Sequence, residues 1–131
     1  MKSEDFETIT ADLKRRKIPA EVKEVVTLML DKKAEQVVVL KLKDISDITD
    51  YMVICHGNSS RQNNAICDEI QKKMSKGRKL KAFGVEGKRD GEWVLMDYVD
   101  FVVHIFNEET RKKYSLEKLW MDAKRYNFYM D

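Results

Sequence analysis

Apolar positions along the chain change their spacing several times, and each change marks an element. Phe6, Ile9 and Leu13 fall at i, i+3 and i+7. That spacing predicts a short amphipathic helix. It runs into Lys14-Arg15-Arg16-Lys17, and basic residues at a helix C-terminus suit the macrodipole. Pro19 fits the first turn of a second helix. Its stripe is Val22, Val25, Val26, Met29 and Leu30, so this helix packs on the core. The pattern then switches. Gln36 to Leu42 is β-branched and mostly apolar, as in a strand covered on both faces. Asp44 to Asp50 has turn chemistry, and Tyr51 to Cys55 reads as a second strand. Gly57-Asn58-Ser59-Ser60 ends it, and Ser59 with Gln62 has the form of a capping box. Ile66, Ile70 and Met74 stripe the next helix, with Cys67 alongside and Gly77 as its stop. Lys81 to Glu86 is a short third strand, followed by the Asp90-Gly91 hairpin signal. Trp93 to Tyr98 and Phe101 to Phe106 are the fourth and fifth strands. Asn107 offers an N-cap to a final helical segment through Leu119 and Trp120. This order predicts an α/β fold: a mixed β-sheet of about five strands with helices packed on it.

A length of 131 residues suits one domain, and 43% hydrophobic residues suffice for a core. Residues 1–18 read as an N-terminal helical extension, 19–124 as the domain, and 125–131 as a C-terminal tail. No apolar run reaches the length of a membrane span. The N-terminus lacks a secretory or transit pattern, so the expected location is cytoplasmic. A net charge of +2 argues against a dedicated nucleic-acid binder, which would need a large positive excess. The charge is uneven, with basic stretches at Lys14–Lys17 and Lys72–Lys81. These read first as solvated faces, with a minor RNA contact as the alternative. Cys55 and Cys67 form no C-x-x-C and read as small buried hydrophobes.

Three constellations could carry chemistry. Asp97 and Asp100 could hold Mg²⁺, but acids at i and i+3 on a regular strand point to opposite faces. Only a turn or bulge at Val99 would bring them together. Otherwise Asp97 orders a neighbouring loop and Asp100 begins the next strand. The Gly57-Asn58-Ser59-Ser60 turn could hold a phosphate on backbone N–H groups, yet it lacks the Gly-Lys-Ser/Thr of a P-loop. Adjacent Cys55 and His56 face opposite ways, and His104 shares a face with Val102 and Phe106, as a hydrogen-bonded core histidine would. The segment Trp93 to Phe106 stands apart, because it sets two aromatic anchors, Trp93 and Tyr98, beside two carboxylates. Trp, Tyr and Met are enriched in protein interfaces.

Thr49-Asp50-Tyr51-Met52-Val53-Ile54, Gly57-Asn58-Ser59 with Arg61-Gln62, and Ala65 to Glu69 make a first block. Glu86-Gly87 and Trp93 to Phe106 make a second. Arg111, Tyr114 to Trp120 and Asp122-Ala123 make a third. In this order the blocks resemble the ribosomal silencing factor family (RsfS, also called Iojap) from about Val22 to Ala123. The resemblance implies a nucleotidyltransferase-like fold lacking the catalytic set, with no enzyme activity and no cofactor. It implies binding to the large ribosomal subunit through universal ribosomal protein 14. Occupancy there blocks subunit association and represses translation. Matched to the family's second block, the docking residues are Trp93, Leu95, Met96, Asp97, Tyr98 and Asp100. Asp50, Tyr51, Ser59, Arg61 and Gln62 match further motif positions, serving either binding or the fold. Val99 stands where the family usually has glycine, and His56 where threonine is frequent. Losing glycine removes easy access to positive φ. The alternative is a nucleotidyltransferase-like enzyme holding a nucleotide and Mg²⁺. It requires two acids converging beside the Gly57-Asn58-Ser59 turn. An exposed sheet edge would also permit a homodimer of the free protein.

Overall fold

The computed structural model describes residues 3–130. Eleven elements follow one another among them: α1 (Ser3–Arg15), α2 (Ala20–Asp31), β1 (Glu35–Lys41), β2 (Tyr51–Gly57), α3 (Ser60–Arg78), β3 (Gly84–Glu86), β4 (Trp93–Asp97), β5 (Phe101–Asn107), α4 (Glu108–Tyr114), α5 (Leu116–Leu119) and β6 (Lys124–Phe128). The strands form one sheet in the order β3-β4-β5-β2-β1-β6. Only β2 and β5 pair in parallel; the other four pairs are antiparallel. The sheet is therefore mixed, as expected, but has six strands rather than about five. The sixth lies in the C-terminal segment for which the apolar pattern predicts no element. It pairs with β1, with Tyr126 opposite Val39 and Phe128 opposite Val37.

Alternation along the strands divides the core in two. On the first face, Val37, Val39, Val53, Cys55, Val94, Met96, Val103, Ile105 and Phe128 meet the apolar stripes of α1, α2 and α3 in one cluster. The predicted stripes supply it: Ile9 and Leu13 from α1, Val22 to Leu30 from α2, and Ile66, Ile70 and Met74 from α3. On the second face a smaller cluster joins Val38, Leu40, Met52, Ile54 and Phe106 to Leu116, Trp120, Ala123 and Tyr129. The α4–α5 segment covers this face over β1, β2 and Phe106 of β5, and reaches β4 at Trp93.

Local chemistry sets the ends of the elements. The Ser59 hydroxyl accepts from the Gln62 N–H at 3.1 Å, half of the predicted capping box. The Gln62 carboxamide closes the other half differently, accepting from Asn58 N–H at 2.6 Å and donating to the Lys32 and Lys33 carbonyls. Asn107 caps α4 as expected, its side chain accepting from Thr110 N–H at 2.8 Å. Gly77 does not stop α3. The helix runs on to Arg78, and Lys79 takes the left-handed conformation at φ 57. Arg78 is held by Glu24 at 2.7 Å, which pins the extra residue. The β3–β4 connection needs glycine twice. Gly87 and Gly91 both have positive φ, and a Cβ on Gly91 would come within 2.6 Å of Ser60. Among the described residues no helix is long and apolar enough to cross a membrane.

Candidate functional site

The strand β4 alternates buried and partly exposed side chains along its whole length. Val94 and Met96 are fully buried on the first face, and Tyr98 continues that series at 5% exposure. Trp93, Leu95 and Asp97 point to the second face and remain partly exposed. Val102 of β5, paired with Asp97, lies beside them. α4 reaches this corner only at Trp93, which packs against Tyr114, whereas Leu95, Asp97 and Val102 belong to neither core cluster. Residues of the expected docking set thus divide. Trp93, Leu95, Asp97 and the exposed Asp100 are accessible together. Met96 and Tyr98 are not, because the helices cover their face. Tyr98 stacks on Phe101 with ring centres 4.8 Å apart, and its hydroxyl is buried without a partner. Burial pushes that phenol up to about 12. The two side chains act as anchors of the strand rather than as its display.

Trp93 is held on three sides. Its indole N–H donates to His104 Nδ1 at 3.0 Å, across the β4–β5 pair. Its ring packs on Phe106 at 4.9 Å and under Tyr114 of α4 at 4.7 Å. Accepting at Nδ1 leaves the proton of a neutral His104 on Nε2, which is buried without a partner. Burial lowers the imidazole to about 4, so it stays neutral at physiological pH. His104 is the hydrogen-bonded core histidine that strand alternation predicts. Its partner was not readable, since Trp93 and His104 meet only through the strand register.

The turn from β4 to β5 is tight. Asp97 Oδ1 accepts from Val99 N–H at 2.8 Å, so this acid orders its own turn. Tyr98 N–H donates to the Phe101 carbonyl at 3.0 Å. Val99 takes φ 73, the conformation that glycine adopts easily and a β-branched residue resists. The neighbouring loop is tied to this turn. Thr49 Oγ1 donates to the Val99 carbonyl at 3.0 Å, and the Asp50 and Tyr51 N–H groups donate to the Asp100 carbonyl at 3.1 and 3.2 Å. Of the motif positions outside the corner, three have side chains built into the fold: Tyr51, Ser59 and Gln62. Asp50 is joined through its backbone, Tyr51 is buried in the first-face cluster, and Ser59 and Gln62 cap α3. Arg61 is exposed at the start of α3.

The arrangement needed for a nucleotide and Mg²⁺ is not built. Gly57 pairs with Asn107 at one end of β5, whereas Asp97 and Asp100 flank the other end, before Phe101. Six residue steps along a strand separate the two ends by roughly 20 Å. Among the described residues no three His, Cys, Asp or Glu side chains are grouped to hold a metal ion. Burial raises the thiol of Cys55 to about 12 and that of Cys67 to about 11, as suits inert core residues. A cleft of about 460 Å³ opens on the other side of α4. Its floor is a buried network: Arg111 donates to Glu117 at 2.7 and 3.0 Å and to His56 Nδ1 at 3.0 Å. His56 Nε2 in turn meets Glu35 at 3.2 Å. Desolvation, then the nearby Arg111 charge, lowers the His56 pKa. The network fastens α4 and α5 to the edge of β1 and β2.

Comparisons with known proteins agree with this architecture. A family model described as "Ribosomal silencing factor during starvation" matches residues 15–130. The ribosomal silencing factor of Halalkalibacterium halodurans is 50% identical over 93 residues, covering 71% of this chain and 79% of that protein. A Mus musculus protein named "Mitochondrial assembly of ribosomal large subunit protein 1" is 34% identical, covering 72% of this chain and 42% of that protein. A crystal structure of a Chromobacterium violaceum protein superposes with a TM-score of 0.75 at 30% identity, covering 80% of this chain and 87% of that one.

Proposed function

The chain belongs to the ribosomal silencing factor family, and from that premise we propose that it represses translation by occupying the large ribosomal subunit. In this reading it is a cytoplasmic binding protein that docks on universal ribosomal protein 14 and sterically blocks subunit association. No chemistry is required, because occupancy of the joining face suffices. The name of the mouse relative, which refers to large-subunit assembly, supports the choice of subunit.

The observation that carries the reading is the open corner of the second sheet face. There a tryptophan fixed by His104, Phe106 and Tyr114 of α4 stands partly exposed beside the partly exposed Leu95 and Asp97. A rigid aromatic anchor of that kind, rimmed by a carboxylate, is what interface hot spots are made of.

Co-sedimentation with purified large subunits tests it. Trp93→Ala is expected to weaken binding by about 30-fold or more, equivalent to roughly 2 kcal/mol, while the protein stays folded. A sucrose-gradient assay of subunit joining should show loss of inhibition in parallel. Undiminished binding by the folded variant would remove this corner as the docking site.

A further inference from the structure

Val99 lies in the β4–β5 turn, and its side chain does nothing to hold that turn. Its φ of 73 lies in the region that glycine enters freely and β-branched residues avoid. Both hydrogen bonds that residue 99 makes use its backbone: Asp97 Oδ1 accepts its N–H, and Thr49 Oγ1 donates to its carbonyl. Glycine would make both equally well. The isopropyl group meanwhile stands 60% exposed, so burial does not offset the strain within this chain.

Two other large apolar side chains stand out at the same end of the sheet. Ile48 is 78% exposed and Phe83 is 84% exposed. Ile48 precedes Thr49, whose hydroxyl holds the Val99 carbonyl. Phe83 N–H donates to the Asp97 carbonyl at 2.7 Å, two residues before Val99. Three separate segments are thus lashed together, each presenting one apolar side chain outward. Residues 43–50 and 97–100, which carry Ile48 and Val99, contain five aspartates and one lysine, whereas Phe83 follows Arg78, Lys79 and Lys81 at the edge of this acidic zone. An apolar centre in an acidic setting complements a basic protein surface with an apolar recess.

We propose that Val99, Ile48 and Phe83 form a second docking patch, which seats on an apolar recess of a basic ribosomal protein when the Trp93 corner docks. This rests on the large-subunit reading above and extends its contact surface around the sheet end, past Asp97 and Asp100. The strain at Val99 is then the cost of holding an apolar group at the tip of a rigid turn, recovered only in the complex.

The experiment pairs urea unfolding with large-subunit co-sedimentation for V99G, V99A, F83S and W93A. V99G is expected to unfold at higher urea yet bind about fivefold or more weaker, so that stability and affinity move in opposite directions. V99A keeps positive φ costly but removes the isopropyl group; it should bind weaker with no such gain in stability. F83S should lose affinity at unchanged stability. If V99G and V99A both bind like the parent while W93A fails, the second patch is wrong and the Trp93 corner stands. If V99G alone weakens binding, the turn's stiffness matters and the side-chain contact is overturned. If the parent protein itself does not sediment with large subunits, both readings fall together.

Discussion

The two faces of the sheet are made of the same strands and end in opposite conditions. Three helices seal the first, and Val94, Met96, Val103 and Ile105 are fully buried there. The second is sealed over β1, β2 and the Phe106 end of β5 by α4, α5 and the segment leading to β6, but left partly open at Trp93, Leu95 and Asp97 of β4 and at Val102 of β5. Alternation along β4 separates the two roles within five residues. Inward side chains fix the strand, and outward ones are presented on a support that cannot yield. A strand is better suited to this than a loop, because its display geometry is set by cross-strand pairing and its anchors are already part of the core.

The largest expected effect comes from disturbing the sealed face. Met96→Ala should lower stability by about 2–5 kcal/mol, the cost of a buried Met-to-Ala cavity. Urea unfolding followed by circular dichroism measures it. The folded fraction should still bind large subunits at parent strength. A stable Met96→Ala protein that fails to bind would return Met96 to the docking surface.

Much of this division was legible in the sequence. Helix stripes, the covered strand after Gln36, the Asn107 cap and the two face sets of β4 all follow from spacing. What spacing cannot say is which set the helices cover, since that depends on the handedness and placement of α1 to α3. Met96 and Tyr98 therefore read as candidates for display alongside Trp93 and Leu95. β6 escaped for a related reason. Only Tyr126 and Phe128 mark it, and its partner β1 lies more than eighty residues away. The same holds for Tyr114 over Trp93 and for Arg111 with His56, pairings that only tertiary structure creates. The departure from glycine at Val99 implies a difficulty at the turn but not how the chain resolves it. The turn is kept and the residue is strained into it.

Acid should distinguish the faces next, through His104 beneath the open corner. Its pKa falls from the usual 6.5 to about 4 on folding, because burial disfavours the imidazolium. Between those values the unfolded chain binds the proton and the native one does not. The contribution to stability is therefore complete above pH 6.5 and is lost as pH falls towards 4. For this buried group the total is of order 3 kcal/mol. His104→Gln should flatten the fall in stability between pH 6.5 and 5, a window above most carboxylate titrations. His56, also lowered, leaves a residual slope in the same range. A variant with the parent's full slope would show that His104 is not the neutral acceptor of the Trp93 N–H.

The smallest stability effect, and the sharpest comparison, is the neighbour of Met96. Leu95 occupies the same strand, one step along and turned to the open corner. Leu95→Ala removes an apolar side chain comparable in size to that of Met96, but one that water already reaches. Its cost should be about 1 kcal/mol or less, whereas large-subunit binding should weaken by about tenfold. The pair then separates by role: Met96 moves stability and spares binding, and Leu95 does the reverse. Equal stability costs at the two positions would mean that Leu95 is sealed in solution as well. A second copy of the chain lying over the corner would produce that result. The cost at Leu95 would then fall on dilution, because the cover dissociates, while the cost at Met96 would not change.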